Sequence, residues 1–152
     1  VLINCAGIFT QFSIKETDDS ELMKCLNLNF IASYLLSREF VTDMTHNKWG
    51  RIINIGSSSA YYGFKNTTAY CASKHALLGF SKALHDEVKE FNVKVMCISP
   101  SSTKGRMGMQ TIGQNYDTFL DPKDVADFIV SAMNNDSNLV IEDILLKRMN
   151  LS

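Results

Sequence analysis

Short, nearly all-apolar runs alternate along this chain with longer segments whose apolar residues recur at helical spacing. Val1–Asn4, Ile52–Ile55 and Val93–Ile98 are brief and rich in Val and Ile, the pattern of strands covered on both faces. Between the first two, Leu22, Leu26, Phe30, Leu35, Leu36 and Phe40 predict a long helix over about 20–45, opened by Asp18, Asp19 and Ser20. His46 to Gly50 reads as the turn into the central strand, with Gly50 suited to the reversal and Trp49 a packing anchor. An Ala/Leu-rich helix is expected over about 69–91. Another begins at Asp121-Pro122, with Pro at its first position, acids in its first turn and Val125, Ala126, Phe128, Ile129 and Met133 as its apolar stripe. Asn134–Asn138 forms a turn, and Leu139–Ile141 opens a last strand that continues, through a bulge, to Ile144–Leu146. Strands separated by helices predict an α/β fold on a parallel sheet.

Composition narrows the function classes. The 152 residues are 45% apolar and 20% charged, which suits one domain with a real core. A net charge of -1 supplies no field for nucleic acid or an anionic membrane, and no apolar run approaches a membrane span. Cys5, Cys25, Cys71 and Cys97 are scattered, as are His46, His75 and His85, so neither a metal site nor a disulfide scaffold is expected, and a reduced, cytoplasmic setting fits. The opening Val-Leu-Ile-Asn has neither an initiator Met nor a basic leader and reads as the interior of a longer protein.

Candidate chemistry gathers between Ile52 and Phe80. An apolar strand ends in Gly56 and Ser57-Ser58-Ser59, and a polar loop leads into Tyr70-Cys71-Ala72-Ser73-Lys74 at the start of a helix. In parallel α/β sheets ligands bind at the carboxyl ends of the strands, where these serines would stand. Tyr70 and Lys74 are four residues apart and share one helical face. A neighbouring cation favours the phenolate and would bring the phenol's pKa from about 10 toward the working range. A serine, a phenol and an ammonium so placed could move a proton between a carbonyl and an alcohol. Tyr61, Tyr62 and Phe64, in the loop over 60–69, either wall a substrate pocket or pack at its rim.

With Asn54-Ile55-Gly56-Ser57-Ser58-Ser59-Ala60 followed by Ala69-Tyr70-Cys71-Ala72-Ser73-Lys74, the chain resembles the short-chain dehydrogenase/reductase family. The resemblance implies a Rossmann-like, three-layer α/β fold with a parallel sheet, and NAD or NADP as cofactor. It implies a small-molecule carbonyl or alcohol substrate, and a homodimer or homotetramer formed through the two long helices. By the same resemblance Tyr70 is the general acid/base, Ser57 steadies the substrate oxygen, and Lys74 lowers the Tyr70 pKa and holds the nicotinamide ribose. Asn29 supports a proton relay, with Asn27 in the surface-like position before it. Asn4-Cys5-Ala6-Gly7 stands where the family has an Asn-Asn-Ala-Gly turn beside the cofactor, so Asn4, Ala6 and Gly7 join Tyr70 and Lys74 as cofactor contacts. Pro100 and Ser101 replace the usual Pro-Gly, and serine resists a positive φ more than glycine does. The segment 105–120 would cover the substrate.

The resemblance runs over essentially all of 1–152, read as a single partial domain, whereas the family's first βαβ units, with their G-x-x-x-G-x-G turn, have no counterpart here. Two functions follow. One is an NAD(P)-dependent oxidoreductase; the other is a catalytically inactive fragment serving as a structural or interaction domain. Without the preceding strands, Val1–Asn4 would be an unpaired apolar edge.

Overall fold

The computed structural model describes residues 1–149. Its four strands, β1 (Leu2–Asn4), β2 (Gly50–Ile55), β3 (Val93–Pro100) and β4 (Asp143–Leu146), form one sheet in the order β1-β2-β3-β4. Every pairing is parallel, with Leu2 beside Ile52, Ile52 beside Val95 and Cys97 beside Asp143.

Successive strand residues face opposite layers. Ile52, Val93 and Val95 pack with Val41, Met44, Leu84 and Val88 from α2 (Ala32–His46) and α3 (Thr68–Val88). Ile53, Met96 and Ile98 pack instead with Phe128, Ile129, Ala132 and Met133 from α4 (Pro122–Met133). Helices on both faces explain why β2 and β3 read as continuous apolar runs. The result is the α/β fold on a parallel sheet that the alternation predicts, in the three-layer, Rossmann-like form that the family resemblance implies. β1 is one of the two edge strands, and Ile3 on it and Val1 just before it are exposed. Among the described residues no helix is long and apolar enough to cross a membrane.

Local differences from the sequence reading have physical causes. The long first helix is three pieces: α1 (Asp19–Leu26), a π-helical turn (Asn27–Ile31) and α2. Asp18 caps α1 by accepting from the Glu21 amide. Gly50 does not make the reversal before β2. Lys48 carries the left-handed φ of 51°, while Gly50 is the first strand residue, where a Cβ would lie 2.6 Å from the Met44 sulfur. The last strand starts at Asp143, so Leu139–Ile141 and the expected bulge lie outside it.

Lys94 accounts for that late start. Its Nζ donates to the carbonyls of Asn135, Ser137 and Leu139 at 2.6–2.8 Å, wrapping the approach to β4 around one ammonium. Beside it the fully buried Arg51 donates to the carbonyls of Gly50 and Asn92 and pairs with Asp136 at 2.6 Å. Trp49 lies over that guanidinium, 4.9 Å from ring centroid to Cζ, which makes it the packing residue its position suggested. These contacts pin the α4–β4 connection to the amino ends of β2 and β3.

Candidate active site

The carboxyl end of β2 delivers Gly56 and Ser57 to the edge of the sheet. Gly56 must be small because a Cβ there would stand 2.2 Å from the Ser99 hydroxyl on β3. Ser57 caps a short 3-10 turn, Ser58–Ala60, its hydroxyl accepting from the Ser59 amide at 3.1 Å. The next long element, α3, begins at Thr68 and brings Tyr70 and Lys74 inward in its first two turns. Ser57, Tyr70 and Lys74 are all buried.

Burial governs the two titrating groups. It pushes the Tyr70 phenol up to about 12, with a hydrogen bond from Ser57 pulling the other way. It also depresses the Lys74 ammonium to about 8, against a smaller upward pull from Cys97, Cys5 and Cys25. The cost of burying a charge, not the Lys74 ammonium, therefore sets the direction at Tyr70, opposite to the lowering expected from the spacing. Lys74 Nζ sits 5.8 Å from the Tyr70 ring centroid and donates to the Ile55 carbonyl at 2.8 Å. The Tyr70 ring meets Phe9 edge-on at 5.0 Å.

Depression of Lys74 gives stability a pH dependence of defined sign. Between about pH 8 and the ordinary lysine value near 10.4, the unfolded chain holds a proton that the folded chain has released, so stability rises with pH. The gain is on the order of 1–3 kcal/mol. Tyr70 acts oppositely above about pH 10, where only the unfolded chain has ionised. The urea midpoint should climb between pH 7.5 and 9.5, and Lys74→Met should remove most of that climb. An equal climb in the variant would reject the assignment.

Asn29 is where the candidate relay and the floor of the site meet. It is fully buried in the π-helical turn, whereas Asn27 is exposed. Its Oδ1 accepts from the Ile8 amide at 2.8 Å, and its Nδ2 donates to the Ile8 carbonyl at 2.9 Å and the Ser73 hydroxyl at 3.0 Å. The side chain thus holds the irregular segment following Gly7 to the inner face of α3. A π-helical turn shifts the helical register by a residue and is common at functional sites. A Cβ on Gly7 would come within 3.1 Å of Asn29 Oδ1 and 3.8 Å of Lys74 Nζ, so Gly7 adjoins the same group.

Of the other sequence candidates, Asn4 is buried and donates to Asn54 Oδ1 at 2.7 Å, leaving its own Oδ1 buried without a partner. Ala6 is exposed beside it. Pro100 ends β3, and Ser101 follows with its amide donating to the Leu146 carbonyl. Ser101 is not among the residues with positive φ, so replacing glycine there costs no backbone strain. Its hydroxyl accepts from the Arg148 amide.

Several contributors were not legible in the sequence. Arg148 donates to Thr118 and Gln114, tying the 105–120 segment to the Ser101 turn. Tyr61 does not wall the substrate side: its hydroxyl donates to Asp143 on β4, while Tyr62 and Phe64 remain exposed. Ser73 and Asn54 complete buried polar contacts that only the tertiary fold creates.

A buried Tyr-Ser-Lys group at the carboxyl ends of parallel strands coincides with a family match. The short chain dehydrogenase family model covers residues 1–115. This chain belongs to that family. It is 36% identical over 107 residues to Nodulation protein G of Rhizobium sp. (strain N33), which covers 70% of this chain and 44% of that protein. It is 35% identical over 103 residues to the 3-ketodihydrosphingosine reductase of Mus musculus, covering 68% and 31%. A solved 4-hydroxyisoleucine dehydrogenase complexed with NADH superposes with a TM-score of 0.85 at 30% identity, over 97% of this chain and 66% of that one. Short-chain dehydrogenases use NAD or NADP, and solved structures of this fold hold NADH or NADP. The chain thus spans from about a third to two thirds of the length of these relatives.

Proposed function

We propose that this chain forms the catalytic half of an NAD(P)-dependent oxidoreductase that interconverts a carbonyl and an alcohol on a small molecule. The observation that carries the reading is the convergence of Ser57, Tyr70 and Lys74, buried together where β2 meets α3. Tyr70 exchanges the proton with the substrate oxygen. Ser57 holds that oxygen through its hydroxyl, whose acceptor side is engaged by the Ser59 amide. Lys74, with one of its three donors on Ile55, has two left for a ribose hydroxyl and for biasing Tyr70 toward ionisation. Asn29 positions the Ile8 backbone against α3 and supports the relay.

The dinucleotide fits the groups present. The Gly7 surface beside Lys74 admits close approach, and three residues earlier in the chain Asn4 keeps a buried Oδ1 without a partner. Asn4, Ala6, Gly7, Pro100 and Ser101 would line it with Tyr70 and Lys74. The nicotinamide supplies the hydride, and the protein supplies placement and electrostatics. The glycine-rich pyrophosphate cradle would come from a preceding segment paired against β1.

Self-association as a homodimer or homotetramer is supported by Tyr34, Leu35, Leu36 and Phe40, all exposed on α2. A reduced, cytoplasmic setting is supported by four free cysteines, three of them buried. The second reading is an inactive structural or interaction domain that keeps Ser57, Tyr70 and Lys74 without a functional cofactor cradle.

Calorimetric titration of the 152-residue chain with NADH and with NADPH separates the readings. Saturable binding of either supports a working cradle. Absence of binding by a folded sample favours the inactive domain for this chain alone. Sedimentation of the same samples at high micromolar concentration should show an oligomer, and a persistent monomer would overturn the association.

A further inference from the structure

The 3-10 turn that presents Ser57 is closed by weak local bonds: Ala60 N donates to the Ser57 carbonyl at 2.9 Å and Tyr61 N to the Ser58 carbonyl at 3.1 Å. Turns of this length hold their shape poorly without outside support. Here the support comes from the residue that ends the turn. The Tyr61 hydroxyl donates to Asp143 Oδ1 at 2.9 Å, and Lys82 Nζ lies 2.7 Å from Asp143 Oδ2. Asp143 is the first residue of β4, and Lys82 lies on α3, two turns beyond Lys74. The strut therefore joins the turn carrying Ser57 to the helix carrying Tyr70 and Lys74, through a strand that belongs to neither.

We infer that Tyr61 and Asp143, braced by Lys82, are positioning residues that fix the Ser57 turn relative to α3. The inference rests on the oxidoreductase reading for its kinetic consequence only. Three observations support it. The phenol remains a donor and the carboxyl an acceptor at neutral pH: burial, followed by the Asp143 bond, raises Tyr61 to about 12, and the Lys82 bond holds Asp143 below the usual carboxylate range. Gly56 is wedged against Ser99, so the turn cannot retreat toward β3, and the strut blocks the opposite movement. Finally, the Lys82–Asp143 pair is substantially exposed, at 48% and 25% of its side-chain surfaces, so it adds little to global stability and its effect is geometric. Misplacing a reacting group by an ångström can lower turnover by about a hundredfold, so a small tilt of this turn matters to Ser57 without unfolding anything.

The test has two arms that fail separately. In the 152-residue chain, Tyr61→Phe and Asp143→Asn should speed amide exchange at Ser59 and Ala60, followed by NMR, by about fivefold or more, while Ile53 and Val95 keep their protection. Unchanged exchange at Ser59 and Ala60 overturns the strut. In the full-length oxidoreductase, Tyr61→Phe should lower kcat about tenfold at nearly constant KM, and should do nothing further in a Ser57→Ala background. Losses that multiply in the double variant would show that Tyr61 acts elsewhere and overturn the positioning role. A Ser57→Ala enzyme with undiminished turnover would instead remove Ser57 from the chemistry and with it the kinetic consequence of the positioning role. A parent protein with no nicotinamide-dependent turnover would sink the oxidoreductase reading and leave the exchange result to judge the strut.

Discussion

Under the proposed function, Tyr70→Phe in any active form containing this chain is expected to cut kcat by about 10²–10⁴-fold, the usual contribution of a positioned general acid/base, while its unfolding midpoint stays close to that of the parent. The substitution deletes one oxygen and keeps the ring. That ring is what packs: it lies edge-on to Phe9 at 5.0 Å and shares a cluster with Cys25 and Ala69. The Ser57 hydroxyl, which pulls the Tyr70 pKa down, can turn to a substrate or to water when the phenol is gone. Binding of the dinucleotide should also survive, because Lys74 keeps its bond to the Ile55 carbonyl. Steady-state kinetics with calorimetry on the same preparation would separate the effects. Turnover resembling the parent's would remove Tyr70 from the chemistry and with it the central reading of the site.

Asn29→Ala should produce the largest loss of stability among the site substitutions, about 2–4 kcal/mol, visible as a lowered urea midpoint. Asn29 is wholly buried and satisfies both backbone groups of Ile8 while bonding Ser73. Truncation leaves these partners without replacements in a site with little room, and an unmet buried polar group costs more than a hydrogen bond contributes. Asn27→Ala is the internal control. It lies two residues away in the same π-helical turn, but its exposed side chain can surrender its contacts to water, so the change should stay within about 0.5 kcal/mol. Equal effects at the two positions would refute the division of labour between them.

The sequence revealed what is periodic or local. Continuous apolar runs at β2 and β3, the Asp18 and Asp121 caps, and the Ser57, Tyr70, Lys74 spacing were all legible, because each depends on residues near one another in the chain. It also favoured Asn29 over Asn27, as burial does in the structure. Long-range polar partners could not be read. Lys94 looks like one polar residue interrupting a strand, and nothing nearby announces that it will capture three carbonyls from the approach to β4. That capture is why Leu139–Ile141, an apolar run with two β-branched residues, do not join the sheet. Tyr61 likewise resembled a pocket residue because its neighbours are aromatic, yet a carboxylate eighty-two positions away decides where its hydroxyl points. The pKa direction at Tyr70 departs from the sequence reading for a related reason: proximity of charges is visible in spacing, whereas the desolvation that raises Tyr70 and depresses Lys74 is a property of everything packed around them.

The all-parallel sheet also sets how this chain must fold. With no hairpin available, each strand pairing joins residues more than forty positions apart, as in Leu2 with Ile52, Ile52 with Val95 and Cys97 with Asp143. Each pairing must bear the closure entropy of a long loop before it is rewarded, which makes contact order high and the folding barrier largely topological. The face formed by Ile53, Met96 and Ile98 stays bare until α4, near the end of the chain, arrives to cover it. During that interval the nascent sheet presents an apolar surface and two open edges, so its yield of native protein is set by a race between docking of α4 and association with other unfinished copies.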